Sequence, residues 1–96
     1  RRHDIKMEIL YGERFKKRYE RASRSIKTAV QRRIGLFEKD SFHPLLHNHL
    51  LVGLYIGSRS INITGDWRAV YSESKSSSGS IVITFVALGT HNQLYK

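Results

Sequence analysis

Two amphipathic helical segments in tandem, followed by alternating apolar runs between turn-rich stretches, predict an α+β fold. It is an N-terminal helical hairpin packed on a small, mainly antiparallel sheet, with a short C-terminal helix. The third observation is size. Ninety-six residues, 40 % of them hydrophobic, suffice for one compact core.

The elements follow in order. Met7 to Tyr11 reads as a first strand; residues 1–6 before it are expected to be a flexible tail, with Met7 a candidate native start and 7–96 the single domain. Glu13 to Ala22 is helix-like and very basic, and Phe15 and Tyr19 at i, i+4 give it a narrow apolar stripe. A second helix fits Ser25 to about Glu38, where Ile26, Val30, Ile34 and Phe37 share one side and Ser23 or Ser25 can cap the start. Pro44 ends helical tendency and opens a His-rich loop over 41–53. A strand-like run covers Tyr55 to Thr64, Gly65-Asp66 makes a turn, and Trp67 to Ser72 returns. Glu73 to Ser80 is polar and Ser-rich and reads as a hairpin loop. Ile81 to Leu88 is apolar on both parities, which predicts a central strand buried on both faces. Thr90 and Gln93 have capping-box spacing for a terminal helix.

Charge gives the first functional indication. The chain carries a formal net charge of +9, and residues 1–40 hold thirteen basic against six acidic residues, leaving +7 in that half. Such a half suits a polyanion, because phosphate contacts release counterions without reading sequence. No apolar run reaches the roughly 18 residues of a membrane span, and no signal peptide is visible, so the cytoplasm is the expected compartment. With no cysteine, disulfides and thiolate metal sites are excluded.

Five histidines stand out, with His43, His47 and His49 crowded in one loop and His91 alone at the proposed last helix. Strand ends and loops can gather His49, Arg59, Asp66, Arg68, His91 and Tyr95. That set suits RNA cleavage by its own 2′-hydroxyl, which needs a base, an acid and cations around the phosphorane-like transition state. Trp67 and Tyr95 can stack on bases. The carboxylates are too few for a two-metal nuclease, and no metal or other cofactor is expected. Simpler roles exist for each residue. His43 and His47 read as loop residues, and a zinc site from His43, His47, His49 and His91 matches no standard spacing. Asp66 can stabilise its turn with Arg68 as its partner. Trp67 and Tyr95 can be packing, and the basic helix a solvated face.

Three blocks are recognisable together: His49-Leu50-Leu51-Val52-Gly53, then Arg59-Ser60-Ile61-Asn62-Ile63-Thr64-Gly65-Asp66-Trp67-Arg68-Ala69-Val70-Tyr71, then Gly89-Thr90-His91-Asn92-Gln93-Leu94-Tyr95. With Glu8-Ile9-Leu10-Tyr11 and Arg14-Phe15-Lys16-Lys17, they resemble the YafQ branch of the RelE/ParE toxin superfamily over residues 7–96. The resemblance implies the toxin of a type II toxin–antitoxin pair, an mRNA interferase. Such a toxin enters the ribosomal A site, meets messenger and ribosomal RNA, leaves a 2′,3′-cyclic phosphate, and is silenced by a cognate antitoxin protein. It further implies His91 as general acid, with His49 and Asp66 as active-site positions of which either can assist proton removal or orient the nucleophile. Arg68 falls where relatives stabilise phosphate charge, Arg59 near a basic position, and Tyr95 at an aromatic one. Some YafQ-like members carry a histidine where this chain has Asn62, which can hydrogen-bond RNA but exchanges no proton. Lys16 and Lys17 of the basic helix, with Trp67, complete the expected RNA contacts. A gyrase-binding ParE-like toxin and a non-catalytic RNA-binding module are the alternatives.

Overall fold

The computed structural model describes residues 6–95. The tail expected over 1–6 therefore lies almost wholly outside the described residues. Lys6, the one position within them, accepts a backbone hydrogen bond from Ile81 at 2.9 Å. The chain runs β1 (Met7–Tyr11), α1 (Glu13–Glu20), α2 (Arg24–Lys39), β2 (His49–Leu50), β3 (Arg59–Asn62), β4 (Trp67–Lys75), β5 (Ile81–Thr90) and α3 (His91–Tyr95). Among the described residues the strands form one sheet in the order β1-β5-β4-β3-β2. Only β1 pairs in parallel, against β5. A parallel pair needs a long crossover, supplied here by everything between Tyr11 and Ile81. No helix is long and apolar enough to cross a membrane among the described residues.

The helices form where the apolar spacing predicts them. Ser23 caps α2 by accepting from the Ile26 N–H at 3.3 Å. Val30, Ile34 and Phe37 are the buried stripe of that helix, and Phe15 that of α1. The two helices run antiparallel: Tyr19 near the end of α1 accepts a hydrogen bond from Gln31 in the first half of α2, at 2.6 Å. Both lie on one face of the sheet, where Phe85 is the hub. Its ring centroid is 5.7 Å from Phe15, 5.6 Å from Phe37 and 5.6 Å from Tyr71. Burial raises the Tyr71 phenol above its ordinary value, and a hydrogen bond from Asn48 with the nearby Arg59 charge opposes the rise.

Four expectations are revised. The loop over 41–53 contains structure of its own: a 3-10 turn at Pro44–Leu46, with proline at its first position, and the two-residue strand β2 paired with β3. The strand expected from Tyr55 starts only at Arg59, because Gly53–Tyr55 makes another 3-10 turn and Gly57 adopts a positive φ. Strand β4 runs on through Lys75, since β5 offers Glu73, Ser74 and Lys75 ladder partners whatever their polarity. Finally, β5 is buried on both faces only near its end, over Ala87–Gly89. Val70 pairs with Ala87 and Tyr71 with Phe85, so Val86 is the extra residue of a β-bulge. The bulge turns both Phe85 and Leu88 toward the helices, which is why apolar residues occupy both parities of the run.

Candidate active site

The other face of the sheet carries a second, smaller cluster of Leu51, Val70, Ala87 and Leu94. Short elements converge around it. Helix α3 starts with the predicted capping box: Thr90 Oγ1 accepts from Gln93 N–H at 3.2 Å, and Gln93 Oε1 accepts from Thr90 N–H at 2.9 Å. Gly89 leaves room for it: a Cβ there would lie 2.9 Å from that same Gln93 Oε1 and 3.4 Å from Gln93 Cβ, so the glutamine would have to shift out of the box. The His91 N–H then donates to the Asp66 carbonyl at 2.9 Å, so the β3–β4 turn and the start of α3 are tied together.

The turn is itself braced. Thr64 Oγ1 accepts from the N–H groups of Asp66 and Trp67, at 3.2 and 3.0 Å. Arg68 donates through Nη1 to the carbonyls of Thr64, Gly65 and Trp67, at 3.0 to 3.1 Å. At the far end of α3, Tyr95 donates its hydroxyl to the fully buried Ser60 at 3.0 Å. Its ring meets Tyr55 edge-on at 6.2 Å and His91 at 4.9 Å. Ser60 is also the cross-strand partner of His49, which brings the two-residue strand β2 alongside α3.

Between these parts lies a cleft of about 460 Å³ lined by His47, His49, Leu50, Leu51, Val52, Arg68, His91 and Tyr95. Four of the sequence-predicted residues therefore meet: His49, Arg68, His91 and Tyr95. Asp66 does not line the cleft. It is exposed at the tip of the turn, and the contact it makes with the site is through its carbonyl. Asn62 is in register with Arg68 on the same face, and its Oδ1 is buried with no hydrogen-bond partner among the described residues.

The remaining predicted residues stand on the helix-covered side. Trp67 packs against the main core with the Arg18 guanidinium 4.5 Å above its ring. Arg59 donates through Nε to Asn48 at 2.8 Å and covers Phe42 at 5.2 Å. Lys16 and Lys17 are exposed on α1, with Lys16 3.6 Å from Glu13. Thus the basic helix and the histidine cleft lie on opposite sides of one sheet. His43 has a structural task, its Nδ1 accepting from the Leu45 N–H at 3.1 Å. The four-histidine zinc set is not assembled among the described residues.

Sequence reasoning missed His47 as a lining residue. Its ring lies 5.0 Å from that of His49. The available signal was its place two residues before His49 in the same loop. It also missed Ser60, the buried anchor of Tyr95, for which no local pattern exists.

Chemically, the cleft combines imidazoles from two separate elements with a guanidinium and an apolar wall. This is a donor set for proton transfer beside a phosphate.

Residues 7–96 match the family model described as the bacterial toxin of type II toxin–antitoxin systems, YafQ. Among solved structures, the chain is similar to YafQ from E. coli BL21(DE3), with 18 % identity, a TM-score of 0.76, and 95 % of this chain and 100 % of that one covered. It is similar at 20 % identity and TM-score 0.75 to a chain of the E. coli DinJ–YafQ toxin–antitoxin complex, covering 96 % and 100 %. A YoeB/ParE toxin from Agrobacterium tumefaciens is 23 % identical at TM-score 0.71, covering 88 % and 99 %. At these identities the structural likeness establishes the α+β fold alone. No curated protein matches the sequence.

Proposed function

The chain belongs to the YafQ family of type II toxin–antitoxin toxins, and from this we propose that it is an endoribonuclease cutting messenger RNA in the ribosomal A site without a metal. The observation that carries the reading is the single cleft lined by His49, His91 and Arg68, which come from β2, α3 and β4. Two imidazoles on separate elements can act as base and acid at opposite ends of one phosphodiester.

In the proposed step, His49 takes the proton of the 2′-hydroxyl and the 2′-oxygen attacks phosphorus. The bond to the 5′-oxygen breaks as His91 protonates that oxygen, leaving a 2′,3′-cyclic phosphate. Arg68 offsets the charge gathered on the phosphorane-like transition state. Its Nη1 is held by three carbonyls, so the rest of the guanidinium is the part presented to phosphate. Between His49 and Asp66 we assign the base to His49, because His49 lines the cleft and Asp66 does not. Tyr95 offers a ring to a neighbouring base, and Asn62, in register with Arg68 on the adjoining strand, offers its side-chain amide to RNA.

Lys16 and Lys17, with Arg59 and Trp67 on the same side, meet ribosomal RNA in this reading, away from the scissile bond. The compartment is the cytoplasm, where ribosomes are. A cognate antitoxin encoded beside the gene silences the toxin, through an acidic or amphipathic segment suited to a surface of net positive charge. The test is incubation of the purified protein with programmed ribosomes, with mapping of the cut and its end groups. Cleavage ending in a cyclic phosphate is expected, and a 2′-deoxy nucleotide at the scissile position should abolish it. Robust cutting of the deoxy message would refute the mechanism, and gyrase-dependent DNA breakage without messenger cleavage would favour the ParE-like alternative.

A further inference from the structure

His47 is the non-glycine residue with a positive φ among the described residues, at φ 45° and ψ 49°. The left-handed region is uncommon for such a residue and needs surroundings that hold it there. They are present. His43 Nδ1 caps the Pro44–Leu46 turn, Arg33 donates to the Leu45 carbonyl at 2.7 Å, and Leu46 is fully buried. The His47 N–H closes the turn on the Pro44 carbonyl at 3.2 Å.

The consequence appears two residues on. The His47 carbonyl lies 2.9 Å from Nδ1 of His49. A carbonyl oxygen only accepts, so Nδ1 must carry the proton. In neutral imidazole one nitrogen donates and the other accepts, and the bond made by one selects the tautomer. Nε2 of His49 is then the nitrogen with the lone pair.

We infer that His47 is a positioning residue: its left-handed backbone holds neutral His49 in the Nδ1–H tautomer and leaves Nε2 as the base. The catalytic consequence rests on the ribonuclease reading; the tautomer does not. The imidazole of His47, although it lines the cleft, is dispensable for this task. What position 47 must supply is a backbone that tolerates positive φ, as glycine and asparagine do.

Two measurements test this. Nitrogen-15 spectroscopy of the free protein, with the His49 signals assigned by His49→Gln, should report Nδ1–H in the neutral ring. A neutral ring protonated at Nε2 overturns the inference. For function, His47→Gly and His47→Asn should keep the single-turnover rate at saturating ribosomes within about threefold. His47→Val, whose branched side chain resists positive φ, should lower that rate about 10- to 100-fold, short of the roughly 10⁴ lost where a catalytic histidine is held in the wrong tautomer. The half-saturating ribosome concentration should stay unchanged in all three. If the Gly and Asn variants fall as far as the Val variant, the imidazole is what matters and the backbone role is wrong. If the wild-type protein cuts no RNA but shows the Nδ1–H ring, the ribonuclease reading fails while the positioning stands.

Discussion

On the side of the sheet covered by α1 and α2, a continuous buried cluster runs from Phe15 through Val30, Ile34 and Phe37 to Ile61, Tyr71, Ile83 and Phe85. On the opposite side the buried apolar cluster among the described residues is limited to Leu51, Val70, Ala87 and Leu94. The first face is held by apolar packing, which is non-directional and scales with the area removed from water. The second has too little area for that and is held by directed bonds: the Thr90–Gln93 box, the Arg68 clamp, the His91–Asp66 link and the Tyr95–Ser60 pair. Hydrogen bonds add modest net stability each but set position narrowly. The larger core and the candidate site thereby occupy opposite faces of a single sheet, and under the proposed function mutations should sort by face.

The largest separation should come from Phe85→Ala. It removes the ring shared by three other buried aromatics and should cost about 3–5 kcal/mol, a large part of what a domain of this size has. Denaturant titration should show it, and the molecules that remain folded should cleave at the normal saturated rate. A comparable stability loss from an alanine in the cleft would break the contrast.

His91→Gln tests the opposite face. We expect the saturated single-turnover rate to fall by roughly 10²–10⁴ with the unfolding midpoint almost unmoved. A folded variant that cuts as fast as wild type would remove His91 from the chemistry. Arg68→Ala should follow His91 in rate but should also destabilise, since it frees the three carbonyls of its turn.

Tyr95→Phe sharpens the contrast at smaller scale. Loss of the hydroxyl leaves buried Ser60 without this donor and should cost about 1–2 kcal/mol, while the ring facing His91 is kept. Thermal melts should shift and the saturated rate should stay close to wild type. A rate loss larger than the stability loss would mean that the hydroxyl itself meets RNA.

The smallest effect belongs to the exposed helix. Replacing Lys16 and Lys17 by Ala should raise the concentration needed for cleavage and flatten its salt dependence by a slope of up to about 2, if both lysines neutralise phosphates. The saturated rate should hold, because those charges are engaged equally in ground and transition states. An unchanged salt slope would leave α1 a solvated face.

Much of this was legible in the chain. The apolar spacing of α1 and α2, the cap at Ser23 and the capping box at Thr90 and Gln93 are local signals, and local physics realises them. The candidate site was partly legible, since histidines and arginines in a chain poor in acids narrow the chemistry before any fold is drawn. Less legible was where a strand stops. Polar Ser74 and Lys75 look like loop until β5 supplies partners, and apolar Tyr55 looks like strand until a tight turn claims it.

By itself, then, the sequence determined the fold class, the helical hairpin, the basic half of the chain and the kind of chemistry its side chains can perform. Periodicity, capping and charge act between near neighbours or through composition, so they can be read in one dimension. Only the tertiary structure decided which residues share a side of the sheet. The bulge at Val86 reverses the parity of β5, the β3–β4 turn delivers Arg68 to one face and Trp67 to the other, and a left-handed His47 aims a carbonyl at His49. Each depends on a partner that is distant in sequence or on a backbone angle with no residue signature. A one-residue change of parity moves a side chain through the sheet, and no local pattern announces it.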